Sequence, residues 1–111
     1  MLYKFKSKVT GDVLMLQPNG RRLLEIIGKS TPNDAGDKGI ILALQMPAAL
    51  TALEAAITHE EAAQQAAIAQ ALADHAPPPR FEAVSLRQRA LPLMDMLRRC
   101  SREDEAIVWG V

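Results

Sequence analysis

The feature that most constrains the fold is a strict alternation of residue types near the start of the chain. From residue 3 to residue 9, two sets of side chains point to opposite sides: Tyr3, Phe5, Ser7 and Val9 against Lys4, Lys6 and Lys8. A period of two with one lysine face is typical of a half-buried β-strand. The turn-forming Thr10-Gly11-Asp12 follows, and then Val13–Leu16, which is apolar on both faces. The pattern predicts an N-terminal β-hairpin whose second strand is central or covered on both sides.

A third strand is predicted at residues 107–111, the apolar run Ile107-Val108-Trp109-Gly110-Val111. Such a run would be left exposed unless it adds a strand to the hairpin. Ile107, Trp109 and Val111 would then share one face. Gly39–Leu42 is either a short extended piece or the lead into a helix, and periodicity does not decide between them.

Three to four helices are predicted to pack on one face of this three-stranded sheet. Asn19 is placed to cap the first helix, and Gly28 to end it. Pro47 suits the first turn of a second helix. Ser85 and Gln88 form a capping-box pattern that opens the last helix. Pro92 either kinks this helix or marks its true first turn. The inward residues of the last helix are predicted to be Leu86, Ala90, Leu93, Met94, Leu97 and Cys100. The expected architecture is a single α+β domain over residues 1–111.

The sequence allows two arrangements for residues 61–79. The buried stripe of the second helix stops after Ile57, and Thr58 with Glu61 resembles another capping box. The helix therefore either runs on into solvent or breaks near Thr58 and restarts. Beyond that point only Ile68 and Leu72 are large and apolar. The segment is either a mobile or protruding extension, or a partner-binding surface that uses Ile68 and Leu72.

Composition limits the functional classes. The only cysteine, Cys100, has no internal disulfide partner, which favours a reducing, cytoplasmic location. The longest uncharged run, Gly39–Leu53, has 15 residues, fewer than the roughly 20 that a membrane helix needs, so no membrane association is expected. With 13 basic and 13 acidic residues, the formal net charge is zero. Bulk electrostatics therefore do not favour nucleic-acid binding.

Several strings resemble a small bacterial family filed as domain of unknown function 1840. They span nearly the whole chain, in order: Met1–Ser7, Pro18–Arg21, Gly39–Ile41, Gln45–Ala49, Leu86–Ala90 and Val108–Val111. The resemblance does not extend to the Ala/Gln-rich stretch after Thr58 or to the Ser/Pro/Asp-rich loop Lys29–Lys38. It implies a compact bacterial protein with no assigned activity, and it transfers no catalytic residue.

No catalytic or metal site is predicted from the residues themselves. His59 and His75 lie 16 positions apart and lack the spacing of a metal motif. Cys100 falls near the end of a helix on its inward face, whereas a reactive thiolate needs an exposed, electropositive site. No cofactor is expected, and an enzyme is disfavoured because no nucleophile, base and orienting group come together.

Two groups of basic residues are candidate binding sites. Asn19, Gly20, Arg21 and Arg22 form a predicted anion site, because free amides at a helix start attract phosphate or carboxylate. The competing interpretation pairs the arginines with an acidic neighbour such as Asp12, or leaves them in solvent. A nucleic-acid surface formed by Lys4, Lys6, Lys8, Arg87 and Arg89 is disfavoured, since Tyr3 and Phe5 point away from the lysines and strand lysines commonly protect sheet edges.

The function that the sequence favours is a non-enzymatic interaction module that self-associates or binds a protein partner. The alternative is a small anion- or nucleotide-binding domain that uses Asn19–Arg22.

Overall fold

The computed structural model describes residues 2–29, 39–81 and 84–110. The strands are β1 (Leu2–Lys6), β2 (Val13–Leu16), β3 (Gly39–Ile41) and β4 (Ile107–Trp109). The helices are α1 (Gln17–Ile26), α2 (Met46–Ala73) and α3 (Leu86–Glu103), with a 3₁₀ turn at Ala43–Gln45 ahead of α2. The α+β class is confirmed. The predicted loop Lys29–Lys38 lies, apart from Lys29, outside the described residues, as does Val111.

The strands form one antiparallel sheet in the order β2-β1-β4-β3. The hairpin and the C-terminal strand are therefore confirmed, and β4 adds to the hairpin through β1. The sheet has four strands rather than three, because Gly39–Ile41 is extended and pairs with β4. Its short apolar sequence fits strand and helix equally well, and pairing with β4 decides the conformation.

The two faces of the sheet differ sharply in burial. The inner face carries Tyr3, Phe5, Ile41, Ile107 and Trp109, all buried in one core with helix residues such as Leu23, Leu53 and Leu97. Paired residues of an antiparallel sheet share a face. The opposite side, here called the outer face, is therefore formed by Leu2, Lys4, Lys6, Leu14, Leu16, Ile40 and Val108. The helices lie on one side of the sheet, as predicted.

Two expectations about the hairpin are wrong. The first strand ends at Lys6 rather than Val9, because the Ser7 hydroxyl accepts the backbone N–H of Val9 (3.3 Å) and bends the chain. The strand β2 is neither central nor covered on both faces. It lies at the edge of the sheet, and Leu14 and Leu16 on its outer side are 58% and 67% exposed.

The first helix begins earlier than predicted. Its N-cap is Leu16, without a side-chain cap, and Pro18 lies in its first turn. A proline there has the required φ and lacks an N–H that would be unpaired anyway, so the helix starts ahead of Pro18 rather than after it. Asn19 is consequently a helical residue and not the cap. Gly28, at φ 80°, ends the helix as predicted.

The second and third helices are continuous. The 28-residue α2 passes through Thr58 without a break, so the capping-box pattern there is not a helix start. Pro47 lies in its first turn, as expected. Ser85 and Gln88 form the predicted capping box of α3, and Pro92 lies inside that helix rather than at its start. All six residues predicted to face inward on α3 are buried, together with Met96.

Two glycines allow close contact between elements. A Cβ on Gly20 would overlap the ring of Tyr3, and one on Gly39 would overlap the ring of Trp109. The first contact lets α1 approach β1, and the second lets β3 lie under an aromatic ring of β4. None of the described helices is long and apolar enough to cross a membrane.

Candidate interaction surfaces

The outer face of the sheet is the largest group of exposed apolar side chains that the fold brings together. Leu2, Leu14, Leu16 and Ile40 are each between 43% and 67% exposed. Leu42 follows β3 in an extended conformation, two residues after Ile40, and is 47% exposed. Strands of five, four, three and three residues, about 3.3 Å per residue and about 4.8 Å apart, give this face an area of about 250 Å², lysines included. Clustered exposed apolar side chains on soluble proteins often mark interaction sites.

The lysines of β1 run along the middle of the outer face. The register places Lys4 beside Leu14 and Lys6 beside Val108, which in turn lies beside Ile40. The ammonium group of Lys4 lies 3.5 Å from a carboxylate oxygen of Asp12. Lys6 and Lys8 have no ion-pair partner among the residues that the structure describes. The outer face is therefore apolar at both sides and positively charged along its centre.

The sequence carries a signal for this surface, although it does not locate it. Val13–Leu16 is apolar on both faces, which predicts a strand that is central or covered. The structure covers only its inner side, where Val13 and Met15 are half-buried. Leu14 and Leu16 on the other side are therefore left exposed at the edge of the sheet.

The predicted partner residues Ile68 and Leu72 lie near the far end of α2. The start of α3 contacts α2 at Glu60 and Glu61, so residues 62–73 extend past it by about 18 Å, at 1.5 Å per residue. Leu72 is 73% exposed, whereas Ile68 is half-buried. These two residues therefore do not form one open patch, and their role in binding a partner stays a prediction.

Two glutamates of α2 hold the start of α3. Glu60 accepts the backbone N–H of Leu86 (3.0 Å), which satisfies one of the free amides at that helix start. Glu61 accepts two hydrogen bonds from Arg87, from Nε (2.9 Å) and Nη2 (2.8 Å). Hydrogen bonding to Arg87, aided by its charge, lowers the pKa of Glu61 below its ordinary value. The same pair raises the pKa of Arg87.

The basic residues of the disfavoured nucleic-acid surface do not form one face. Lys4 and Lys6 lie on the outer face of the sheet, whereas α3 packs against the opposite side. There Arg87 binds Glu61, and Arg89 lies 3.9 Å from Glu60. The two basic groups are therefore separated by the thickness of the molecule.

The four residues of the predicted anion site have different environments. Gly20 is buried against Tyr3, and Asn19 Nδ2 donates to the sulfur of Met15 (3.5 Å). When the Gln17 amide is oriented so that its oxygen faces the guanidinium, it accepts from Arg21 Nε (3.2 Å) and Nη2 (3.3 Å). Arg22 is exposed, more than one turn into the helix. Asp12, suggested as an arginine partner, pairs with Lys4 instead. Anion binding by this group stays a prediction.

The histidines and the cysteine are separate from one another. His59 and His75 are exposed on α2 and just after it. Cys100 is a buried free thiol whose Sγ donates to the Ser7 hydroxyl (3.1 Å), a contact that ties α3 to the end of β1. Within residues 2–29, 39–81 and 84–110, no three His, Cys, Asp or Glu side chains are grouped to hold a metal ion.

A shallow groove lies between α2 and α3 in the helical layer. Ile57, Leu91 and Met94 provide its apolar part. Its charged groups are already engaged, since Arg87 binds Glu61, and Arg98 lies 3.1 Å from Asp95 and 3.6 Å from Glu54. The groove therefore offers no set of charged groups aimed at a ligand.

Comparison with known proteins places the chain in a family without assigning an activity. No curated protein and no solved structure matches it. Residues 1–109 match the family described as Domain of unknown function (DUF1840), which agrees with the resemblance carried by strings from Met1–Ser7 to Val108–Val111. Since the match covers almost the entire chain, the protein belongs to this family.

Proposed function

We propose that the protein is a non-enzymatic interaction module that binds a protein partner through the outer face of its sheet. The observation that carries the proposal is the exposure of Leu14 and Leu16 on a strand whose sequence is apolar on both faces. Exposed leucines occur singly on most proteins, but here Leu16 pairs with Leu2 in the register, and Ile40 lies on the same face beyond the lysines of β1. Apolar side chains clustered in this way favour burial against a second surface.

The magnitudes fit a reversible complex. Removing the whole face of about 250 Å² from water contributes at most about 6 kcal/mol, at about 25 cal/mol per Å² of apolar surface, because the lysines are part of that area. Association itself costs at least about 4 kcal/mol in lost translational and rotational freedom. The surplus is modest, so the outer face fits a partner that binds and leaves rather than a permanent subunit.

The non-enzymatic character rests on the state of the ionisable side chains. Glu60 and Glu61 hold the start of α3, and Cys100 is packed in the core. Each of these groups has a structural role that accounts for its position. A reducing, cytoplasmic setting fits the free thiol of Cys100.

Self-association through the far end of α2 is a second form of the same function. Leu72 is largely exposed there, and residues 62–73 project past the start of α3. This surface is separate from the outer face, so one copy could engage a partner and another copy at once. The alternative anion- or nucleotide-binding function of Asn19–Arg22 has no observation in its favour beyond the charge of Arg21 and Arg22.

The proposal is tested by comparing what three forms of the protein capture from the cells that naturally contain it. Leu14→Glu/Leu16→Glu places two charges on the outer face, and Leu44→Glu is the matched control, because Leu44 is 91% exposed in the 3₁₀ turn and does not belong to the outer face. We expect a protein that the wild type and the control retain and that the double variant loses. Thermal melting must show that all three are folded. If the double variant retains every captured protein, the outer face is not the binding surface.

A further inference from the structure

The arrangement of charge on the outer face specifies more than the presence of a partner. The lysines lie on β1, next to the middle of the sheet, with leucines of β2 on one side and the aliphatic residues of β4 and β3 on the other. Asp12 pairs with Lys4, whereas Lys6 has no ion-pair partner among the described residues. A partner that covers the leucines must therefore either bury Lys6 as an unpaired charge, which is costly, or supply a negative charge to pair with it.

A second copy of this chain does not meet that requirement. A symmetric contact of two outer faces would place Lys4 and Lys6 of each copy in the same interface, where Asp12 is already paired with Lys4. The area also argues against it. The outer face offers about 250 Å², compared with about 800 Å² per partner in a standard stable complex.

The dimensions fit a single helix. Helices can cover one face of an antiparallel sheet, as α1, α2 and α3 cover the inner face here. The five residues of β1, the strand that carries the lysines, span about 16 Å, which matches about eleven helical residues at 1.5 Å each. A helix of that length presents apolar residues at positions i, i+3, i+4 and i+7 toward the leucines and keeps its flanking positions near the lysines.

We propose that the outer face binds a short amphipathic helix of a partner protein, with leucine-like residues along its apolar stripe and Asp or Glu at the flanks that meet Lys4 and Lys6. This inference rests on the proposed function and names the chemistry of its partner. An anionic membrane surface would also offer negative charge and apolar chains, but a flat lipid surface would not select for helical spacing. Binding to an anionic membrane in place of an acidic helix would therefore contradict the inference.

The probes are two synthetic peptides of about four turns, held helical by a side-chain cross-link. They share one apolar stripe and differ only in carrying Glu or Lys at the flanks. We expect the wild-type protein to bind the acidic peptide at least about tenfold more tightly than the basic one in fluorescence anisotropy, since two or three favourable charge pairs replace unfavourable ones. The preference should shrink as salt rises. Amide chemical shifts of β1, β2 and β4 should move on binding.

Charge reversal supplies the discriminating variant. Lys4→Glu/Lys6→Glu should weaken binding of the acidic peptide and strengthen binding of the basic one, whereas an unfolded variant would bind neither. Leu14→Glu/Leu16→Glu should abolish binding of both peptides, and Leu44→Glu should leave both unchanged. Equal binding of the two peptides, or no binding of either, would overturn the inference.

The two proposals fail in different ways. If the wild-type protein sediments with vesicles of anionic phospholipid and binds neither peptide, while Leu14→Glu/Leu16→Glu does not sediment with them, the outer face binds a membrane surface and not a helix. This result would refute the inference. If the acidic peptide does not bind but the outer-face variant still loses a captured protein, the partner has other chemistry and only the inference falls. If the variant loses no captured protein, the proposed function falls.

Discussion

Gly20 lies where any larger side chain would meet the ring of Tyr3. Alanine is the better helix former by about 1 kcal/mol, so propensity alone favours replacing this glycine in α1. The nearest atoms, however, include Cβ and Cγ of Tyr3, which cannot swing away without moving β1. Packing should therefore override propensity at this position.

We predict that Gly20→Ala destabilises the protein by about 1–3 kcal/mol, the usual cost of overpacking. Gly11→Ala is the matched control, because a Cβ at Gly11 has nothing within 4 Å. It should change the unfolding free energy by less than about 0.5 kcal/mol. Chemical denaturation of both variants measures the difference. Equal stability of the two would mean that the Tyr3 ring does not pack over Gly20.

Some helix ends could be read from the sequence and others could not, for a reason that lies in single residues. All three helices close with a backbone bond of the same type: Lys29 to Leu24, Ala76 to Ala71 and Glu105 to Cys100. The residue with positive φ is Gly28 in the first case, but His75 and Asp104 in the others. A glycine in the sequence predicts such a left-handed turn, because glycine adopts a positive φ without steric cost. His and Asp adopt it at a conformational cost that the surrounding structure must offset, so they do not predict it.

At the level of elements, α2 and α3 are joined at one end by Glu61 and Arg87. The two residues are 26 positions apart, so their hydrogen bonds fix the register between the helices rather than stabilising either helix alone. Both side chains are substantially exposed, at 45% and 60%, so solvent screens the pair.

We predict that this pair makes stability depend on pH in the acid range. Because the folded pKa of Glu61 is lowered by Arg87, the contribution is fully present above the ordinary glutamate pKa of about 4.3 and is lost as pH falls through the lowered value. Glu61→Gln should therefore reduce the unfolding free energy at neutral pH, and the difference from the wild type should vanish in strong acid. Urea denaturation at several pH values measures it.

A double-mutant cycle provides the control. In an Arg87→Gln background, Glu61→Gln should no longer change the pH dependence, since the donor that lowers the pKa is gone. A pH-independent loss of stability in Glu61→Gln would indicate that the side chain contributes by packing and not through its charge.

The elements that sequence predicted well are those with an internal pattern. Alternation from Tyr3 to Phe5 located the hairpin, and the spacing of Leu86, Leu93 and Leu97 located α3. The strand β3 has only three residues, too few for a period to show, and its conformation comes from pairing with β4. The start of α1 was misplaced because two residues, Pro18 and Asn19, each suit a helix start in different positions.

The whole molecule is elongated. Its radius of gyration is 16.1 Å, compared with about 13 Å for a compact domain of this length, and its longest dimension is 52 Å. The 28 residues of α2 span about 42 Å, and residues 62–73 project past the start of α3. This shape leaves Leu72 far from the core.

We predict that self-association, if the far end of α2 mediates it, is weakened by Leu72→Glu and by Ile68→Glu with the fold intact. Exposed Leu72 can accept a charge without disturbing the monomer, whereas half-buried Ile68 should cost some stability as well. Sedimentation velocity over a range of concentrations measures the effect, with Leu44→Glu as the control. Protection of residues 61–79 from proteolysis should rise with concentration in the wild type.

Two results would contradict this prediction. A wild-type mass that stays monomeric at high concentration would remove self-association altogether. A mass that rises equally in the wild type and in Leu72→Glu would place the contact elsewhere on the molecule.

The candidate surface was harder to predict than the fold because it depends on which face remains uncovered. Two apolar faces on Val13–Leu16 could be read from the sequence, but the edge position of β2 is a property of the complete sheet. The same limit applies to the arginines. Arg87 and Arg89 resemble a basic patch until α2 brings Glu60 and Glu61 beside them.

The position of β4 in the middle of the sheet has a consequence for biosynthesis. β1 and β3 do not pair with each other, and β4, which lies between them and pairs with both, is made by the ribosome after both. Phe5 packs against Trp109, with ring centroids 5.8 Å apart. At about 5–20 residues per second, roughly 5–20 s separate the synthesis of these two rings. During that interval the edge of β1 that later pairs with β4 is open and Phe5 lacks the Trp109 ring, two features that expose a nascent chain to aggregation until its last strand is made.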